Sequence, residues 1–220
     1  MRMWLGRLTR ATAKAVFALL CAAVAVYAFH YLYGSFRPRN PFDQHFAVAG
    51  LAVPAHFFGA GLALLLSPLQ LSAGVRRRLP RLHRIAGWLY TGGVLIGGLG
   101  GLLLARNAHG GIASGSGFAL LAVVWLASTG LGIRHAIAGD HARHQRWMWR
   151  SVALTSSAVT LRLMLAVGQG VLHLPFVTVY VAAAWMCWTV NLALLEGWLR
   201  WRDRAVRSAT PRPQSILGVA

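Results

Sequence analysis

"HQRWMWRSVALTSSAVTLRLMLAVGQG" (residues 144–170) opens with a basic, tryptophan-bearing turn and continues as a long apolar run interrupted by Arg162. An apolar run of about 20 residues is the length a helix needs to cross a bilayer. An arginine near its middle is costly. Ionisable groups that persist at such depth face a bundle interior, a partner or a watery cavity. The stretch therefore raises two questions: how the chain folds, and what the arginine faces.

Composition answers the first. Of 220 residues, 57% are hydrophobic and 12% charged, and the mean hydropathy is +0.55. A soluble domain of this length would have to hide several long apolar runs at once, whereas a bilayer accepts each of them. Six such runs occupy about 12–34, 47–71, 84–105, 117–138, 151–172 and 175–198. They are continuous rather than alternating, and about twice the length of a barrel strand, so they are expected to be helices. The expectation is an all-α, polytopic membrane bundle of about six transmembrane helices. Residues 1–11 precede it, 12–198 form it, and 199–220 follow as a basic, flexible tail.

A formal charge of +18 raises nucleic acid as a partner, but the basic residues are placed otherwise. Arg2, Arg7, Arg10 and Lys14 precede or open the first span. Arg76, Arg77, Arg78, Arg81 and Arg84 join the second to the third; Arg143, Arg146 and Arg150 join the fourth to the fifth; Arg200, Arg202, Arg204, Arg207 and Arg212 follow the sixth. The alternate connections hold only Arg37, Arg39 and Arg106. By the positive-inside rule both termini face the cytoplasm. Lipid headgroups account for the charge, and no recognition motif or aromatic-basic platform supports nucleic-acid binding.

The first span has a basic lead, as a secretory signal does, but "AVAVYAFHYLYGSF" prolongs it beyond a usual signal core, so a retained helix is expected. Cys21 and Cys187 fall inside spans and suggest neither a disulfide framework nor a metal motif. In the third span, Gly93, Gly97 and Gly101 recur every fourth residue. They share one face, against which a neighbouring helix can pack closely.

Polar residues mark the candidate sites. Along the fifth span, His144, Met148, Ser151, Thr155, Ala158, Arg162 and Gln169 follow helical steps and line one stripe. Arg162 lies about 15 Å from either end, near the midplane. A carboxylate partner is lacking there: Asp43 and Asp140 fall in connections, Asp203 in the tail and Glu196 near one end of the sixth span. His56, on the second span, sits at a matching depth. It reads either as a neutral histidine bonded to a neighbouring helix or as a ligand or proton site. His56, Thr155, Arg162 and Gln169 thus form a candidate ligand-binding set for a small anionic or quinone-like molecule.

A second candidate lies nearer the basic face. His83 opens the third span and His144 precedes the fifth; two imidazoles on facing helices can supply both axial ligands of a haem b, with Arg84 and Arg162 available to its propionates. This requires the third and fifth spans to be neighbours. The alternative is a solvated basic interface anchored by Trp147 or Trp149. No zinc-site spacing, serine-nucleophile elbow, phosphate loop or dinucleotide fingerprint accompanies these residues.

"SPLQL" after the second span, "RLHRIAGWLY" opening the third and "HQRWMWRSVALTSSAVTLRL" opening the fifth resemble the bacterial membrane-protein family called domain of unknown function 2306, from about residue 50 to the last span. The matching positions are His56, Gln70, His83, Arg84, Gly87, Tyr90, His144, Trp147, Met148, Arg150 and Arg162. Ser67 departs from the family's frequent glycine, and Trp88 and Trp149 stand where other side chains are common. The resemblance implies a multi-spanning protein of the bacterial inner membrane and brings no established reaction. The layout is also similar to the four-helix cores of b-type membrane cytochromes such as the cytochrome b561 group, although the fourth span offers no outer-half histidine to face His56. The resulting expectations are haem-linked electron transfer with a quinone or redox partner, a transporter or ligand-binding protein, or a structural partner protein.

Overall fold

A computed structural model describes residues 2–34 and 49–209. Arg37, Arg39, Asp43, His45 and Arg212 lie outside the described residues. Helix α1 spans Arg2–Gly34, α2 Ala52–Leu71, α3 Ala73–Arg78 and α4 Pro80–Leu104. A 3-10 turn, Ala105–Asn107, follows. Then come α5 at Ile112–Ile137, α6 at His141–Thr155, α7 at Ser157–Gly170 and α8 at Phe176–Ala209. No strand occurs among the described residues, and six segments are long and apolar enough to cross a membrane. The fifth is α6 and α7 together, His141–Gly170.

The helices outrun the apolar stretches that announce them, and local chemistry explains where two of them begin. α4 begins at Pro80, whose fixed φ and missing N–H suit the first helical turn. α6 begins at His141 because the Asp140 carboxylate accepts from the Arg143 backbone N–H at 3.0 Å. α8 continues to Ala209, so the segment expected to leave the bundle at 199 is helical for another ten residues or so. Two ion pairs hold α8 to α6: Arg150 donates to both Glu196 carboxylate oxygens at 2.6 and 3.1 Å, and Arg146 to Asp203 at 2.5 Å. Arg202 also lies over the Trp149 ring, 4.7 Å from its centroid.

The glycine face of α4 meets α2. A Cβ added at Gly97 would stand 2.6 Å from the Ala60 nitrogen, and one at Gly100 would stand 2.8 Å from the His56 nitrogen. Both are backbone atoms that cannot swing aside. Lipid tails are as apolar as the side chains, so helices in a bilayer are held by such close van der Waals contact and by hydrogen bonds. Large apolar residues such as Leu65, Ile85, Leu99 and Leu194 remain exposed on the outside of the bundle, where lipid would cover them.

Hydrogen bonds join α4, α5 and α6 through one buried cluster. The Tyr90 hydroxyl lies 2.7 Å from both the Ser151 and Thr155 hydroxyls, Thr129 lies 2.7 Å from Ser151, and Trp125 Nε1 donates to Thr155 at 2.9 Å. The indole N–H can only donate, so Thr155 is its acceptor. The Thr155 and Thr129 hydroxyls also lie 2.9 Å from the carbonyl oxygens one turn back, those of Ser151 and Trp125, so the hydroxyl protons are shared among more acceptors than they can fill at once.

The fifth span is not one continuous helix. It breaks at Ser156, whose hydroxyl donates back to the Val152 carbonyl at 2.8 Å. Such back-bonding bends helices. Asn191 of α8 bridges the break: its amide donates to the Ala153 carbonyl at 3.1 Å and its oxygen accepts from Thr160 at 3.0 Å.

Candidate functional site

A partly open cavity of about 400 Å³ has walls from α1, α2, α4, α5, both halves of the fifth span and α8. Its lining is mainly apolar and aromatic, including Phe57, Leu64, Leu121 and Trp125. Into this wall the fold sets His56, Thr155, Ser157 and Arg162. Apolar pockets with a few convergent polar groups, about 300–1,000 Å³ in volume, are the usual form of small-molecule sites.

His56 is seated by the glycine face. A Cβ at Gly101 would stand 2.9 Å from His56 Nδ1, so the glycine makes room for the ring. Nδ1 lies 2.8 Å from the Gly97 carbonyl oxygen. A carbonyl only accepts, so Nδ1 carries the proton and the neutral ring keeps its lone pair on Nε2. Nε2 has no protein partner among the described residues. His56 is thus both bonded to a neighbouring helix and a wall residue of the cavity.

Arg162 enters from α7. One guanidinium nitrogen donates to the Ala158 carbonyl, one turn back, at 2.9 Å. The guanidinium carbon lies 5.2 Å from the centroid of the Tyr27 ring of α1, within cation–π range. No carboxylate reaches it among the described residues: Asp140 engages Arg143, Glu196 engages Arg150 and Asp203 engages Arg146. Arg162 and His56 are near enough to interact electrostatically. The break in the fifth span adds Ser157, whose buried hydroxyl has no hydrogen-bond partner among the described residues.

Of the ligand set expected from sequence, His56, Thr155 and Arg162 share this cavity and Gln169 does not. Gln169 is exposed and bonds back to the Leu165 carbonyl at 3.4 Å. The stripe continues past Ser156 along the cavity wall through Ala158, Arg162 and Leu165, and Gln169 lies one turn beyond them, at the end of α7. Thr155 lines the cavity, but its hydroxyl is already engaged with Ser151, Trp125 and Tyr90.

The four haem-site candidates are divided. His83 and His144 lie within electrostatic range of each other, and the Tyr90–Ser151 bond reaches from the third span to the fifth, although the fifth packs mainly on the fourth and sixth. His144 Nδ1 bonds the Gly132 carbonyl at 2.8 Å, leaving Nε2 free, while His83 Nδ1 is buried without a partner among the described residues. Arg84 is exposed. Arg162 lies about 27 Å further along the fifth span than His144, at 1.5 Å per residue, and belongs to the cavity, which neither histidine lines. Among the described residues, no group of three or more His, Cys, Asp or Glu could hold a metal ion.

Sequence reading passed over Ser157, Asn191 and the Trp125–Thr129 side of the hydroxyl cluster. Each is a polar residue deep in an apolar run, which in a membrane helix is itself a signal. For serine and threonine that signal is weak, because their hydroxyls can bond their own helix.

No curated protein and no solved structure matches the chain. The family described as predicted membrane protein (DUF2306) matches residues 53–199, a stretch that holds His56, the α2–α4 glycine face, the hydroxyl cluster, the broken fifth span and Arg162. The chain belongs to that family.

Proposed function

We propose that this is a ligand-binding or transport protein of the bacterial inner membrane, with both termini cytoplasmic, that holds a small lipid-soluble molecule in the cavity between His56 and Arg162. The observation that carries the reading is an intramembrane arginine with one backbone partner, an aromatic neighbour and, among the described residues, no carboxylate, lining an apolar cavity. Buried cations persist where something acceptor-rich meets them. The test is mass spectrometry of the organic extract of the protein purified in mild detergent, beside Arg162→Ala prepared identically. A small molecule near one per chain, lost in the variant, is expected. Extracts that do not differ would remove the support.

A second reading, haem b held by His83 and His144 and serving electron transfer with a quinone or redox partner, draws on a separate observation. The Nδ1-to-carbonyl bond of His144 is the arrangement that orients a histidine to ligate through Nε2. Oxidised and dithionite-reduced absorption spectra test it. A Soret band lost in His83→Ala and in His144→Ala supports the reading, and its retention in both would end it.

A further inference from the structure

The cavity's donors and acceptors specify the head of its occupant. With Nδ1 bonded to Gly97, the neutral His56 ring offers the cavity a lone pair and no hydrogen. Arg162 is the reverse: a guanidinium has five N–H donors and no acceptor, and one nitrogen is engaged with Ala158. A head that fits both must bring a hydrogen to Nε2 and an acceptor, best an anionic one, to the guanidinium. A carboxyl group does this with two adjacent oxygens. Its single acidic proton can sit on the oxygen or on Nε2: the O–H bond breaks as the N–H bond forms, and nothing else changes. Both placements leave a hydrogen between acid and imidazole and an oxygen facing Arg162. The fork-shaped guanidinium suits a carboxylate in particular.

The remaining lining fits the other end of such a molecule. Phe57, Leu64, Leu121, Leu161 and Leu165 offer no hydrogen-bonding groups, and they surround the polar pair with apolar surface. Ser157, on the same half-helix as Arg162, adds to the lining a hydroxyl with no hydrogen-bond partner among the described residues. From this complementarity we infer that the cavity takes an amphiphile with a carboxylic acid head and an aliphatic tail, the acid held between His56 and Arg162. The inference rests on the ligand-binding reading above and narrows it to a chemical class.

The experiment uses the whole chain in lipid nanodiscs and saturable binding of tritiated dodecanoic acid, measured above empty nanodiscs. Unlabelled dodecanoic acid, dodecanol, methyl dodecanoate and dodecylamine compete. The acid should compete at least tenfold better than the ester, the alcohol should fall between them, and the amine should compete worst, because it meets Arg162 with like charge. Arg162→Gln and His56→Phe should each reduce the preference for acid over ester at least fivefold. The wild-type series needs no variant, so a misfolded mutant cannot decide the matter. Ester competing as well as acid would overturn the carboxyl assignment while leaving an amphiphile cavity in place. No saturable binding of the labelled acid, with a different molecule copurifying, would overturn the assignment alone; no binding and nothing copurifying would end both readings.

Discussion

The Arg162 guanidinium lies 5.2 Å from the centroid of the Tyr27 ring, across the gap between the fifth span and the first. The contact links a residue inside the family match, 53–199, to a helix outside it. It gives the cation an electron-rich face where a structural arginine would have a carboxylate. The three acidic side chains among the described residues are used by Arg143, Arg146 and Arg150. Among the described residues Arg162 therefore has no carboxylate to compensate it, which makes its energetics testable.

Arg162→Leu should leave the ligand-free protein as stable as the wild type or raise its stability by up to about 2 kcal/mol. Central arginines disfavour insertion by about 2.5–3.5 kcal/mol, and the variant gives up one backbone bond and one aromatic contact in exchange. Chemical denaturation in detergent checks this. A loss of more than about 1 kcal/mol would make Arg162 a structural residue.

Gly97→Ala should cost about 1–3 kcal/mol, the range for overpacked cores, because the new methyl would meet the Ala60 backbone. It should also loosen His56, whose Nδ1 bonds the Gly97 carbonyl. Gly92→Ala on the same helix is the control. Nothing lies within 4 Å of a Cβ there, so the helix should gain about 0.5–1 kcal/mol from the lost glycine flexibility. Thermal unfolding of the pair separates close packing from glycine content.

In the hydroxyl cluster, Thr155→Val should destabilise more than Tyr90→Phe. The valine strands the Trp125 indole N–H, a buried donor without an acceptor, at about 1–3 kcal/mol. The phenylalanine costs about 1 kcal/mol for two membrane hydrogen bonds, since Thr155 keeps its indole donor. Unfolding of the two single variants and the double variant gives both the order and the coupling. Equal losses would contradict the assignment of Thr155 as the indole's acceptor.

Asn191→Ala should free the break in the fifth span. With Cys21 and Cys187 replaced by alanine and Ser157 by cysteine, labelling of residue 157 by a small maleimide should rise severalfold when Asn191 is removed. Unchanged labelling would mean that Ser156 and its neighbours hold the bend without the amide clamp.

Much of the architecture was legible because membrane helices write themselves as apolar runs, and the glycine repeat in α4 already marked a close-packed face. Their ends were less legible. Hydropathy sees where apolar residues stop, whereas Asp140 and Pro80 mark where helical hydrogen bonding starts. At the site, depth alone put His56 and Arg162 at one level. It could not reveal that α1 contributes Tyr27, since helix neighbours depend on contacts between distant segments. Gln169 continues the stripe, but it lies one turn beyond Leu165, which lines the cavity, and periodicity does not say where a cavity ends.

The most direct test is an experimental structure of the protein in lipid nanodiscs, at a resolution that resolves side chains in the membrane interior. The account predicts non-protein density in the cavity, touching His56 Nε2 at one point and the Arg162 guanidinium at another, with Nδ1 still on the Gly97 carbonyl. A closed cavity with Arg162 turned outward to the lipid would contradict it.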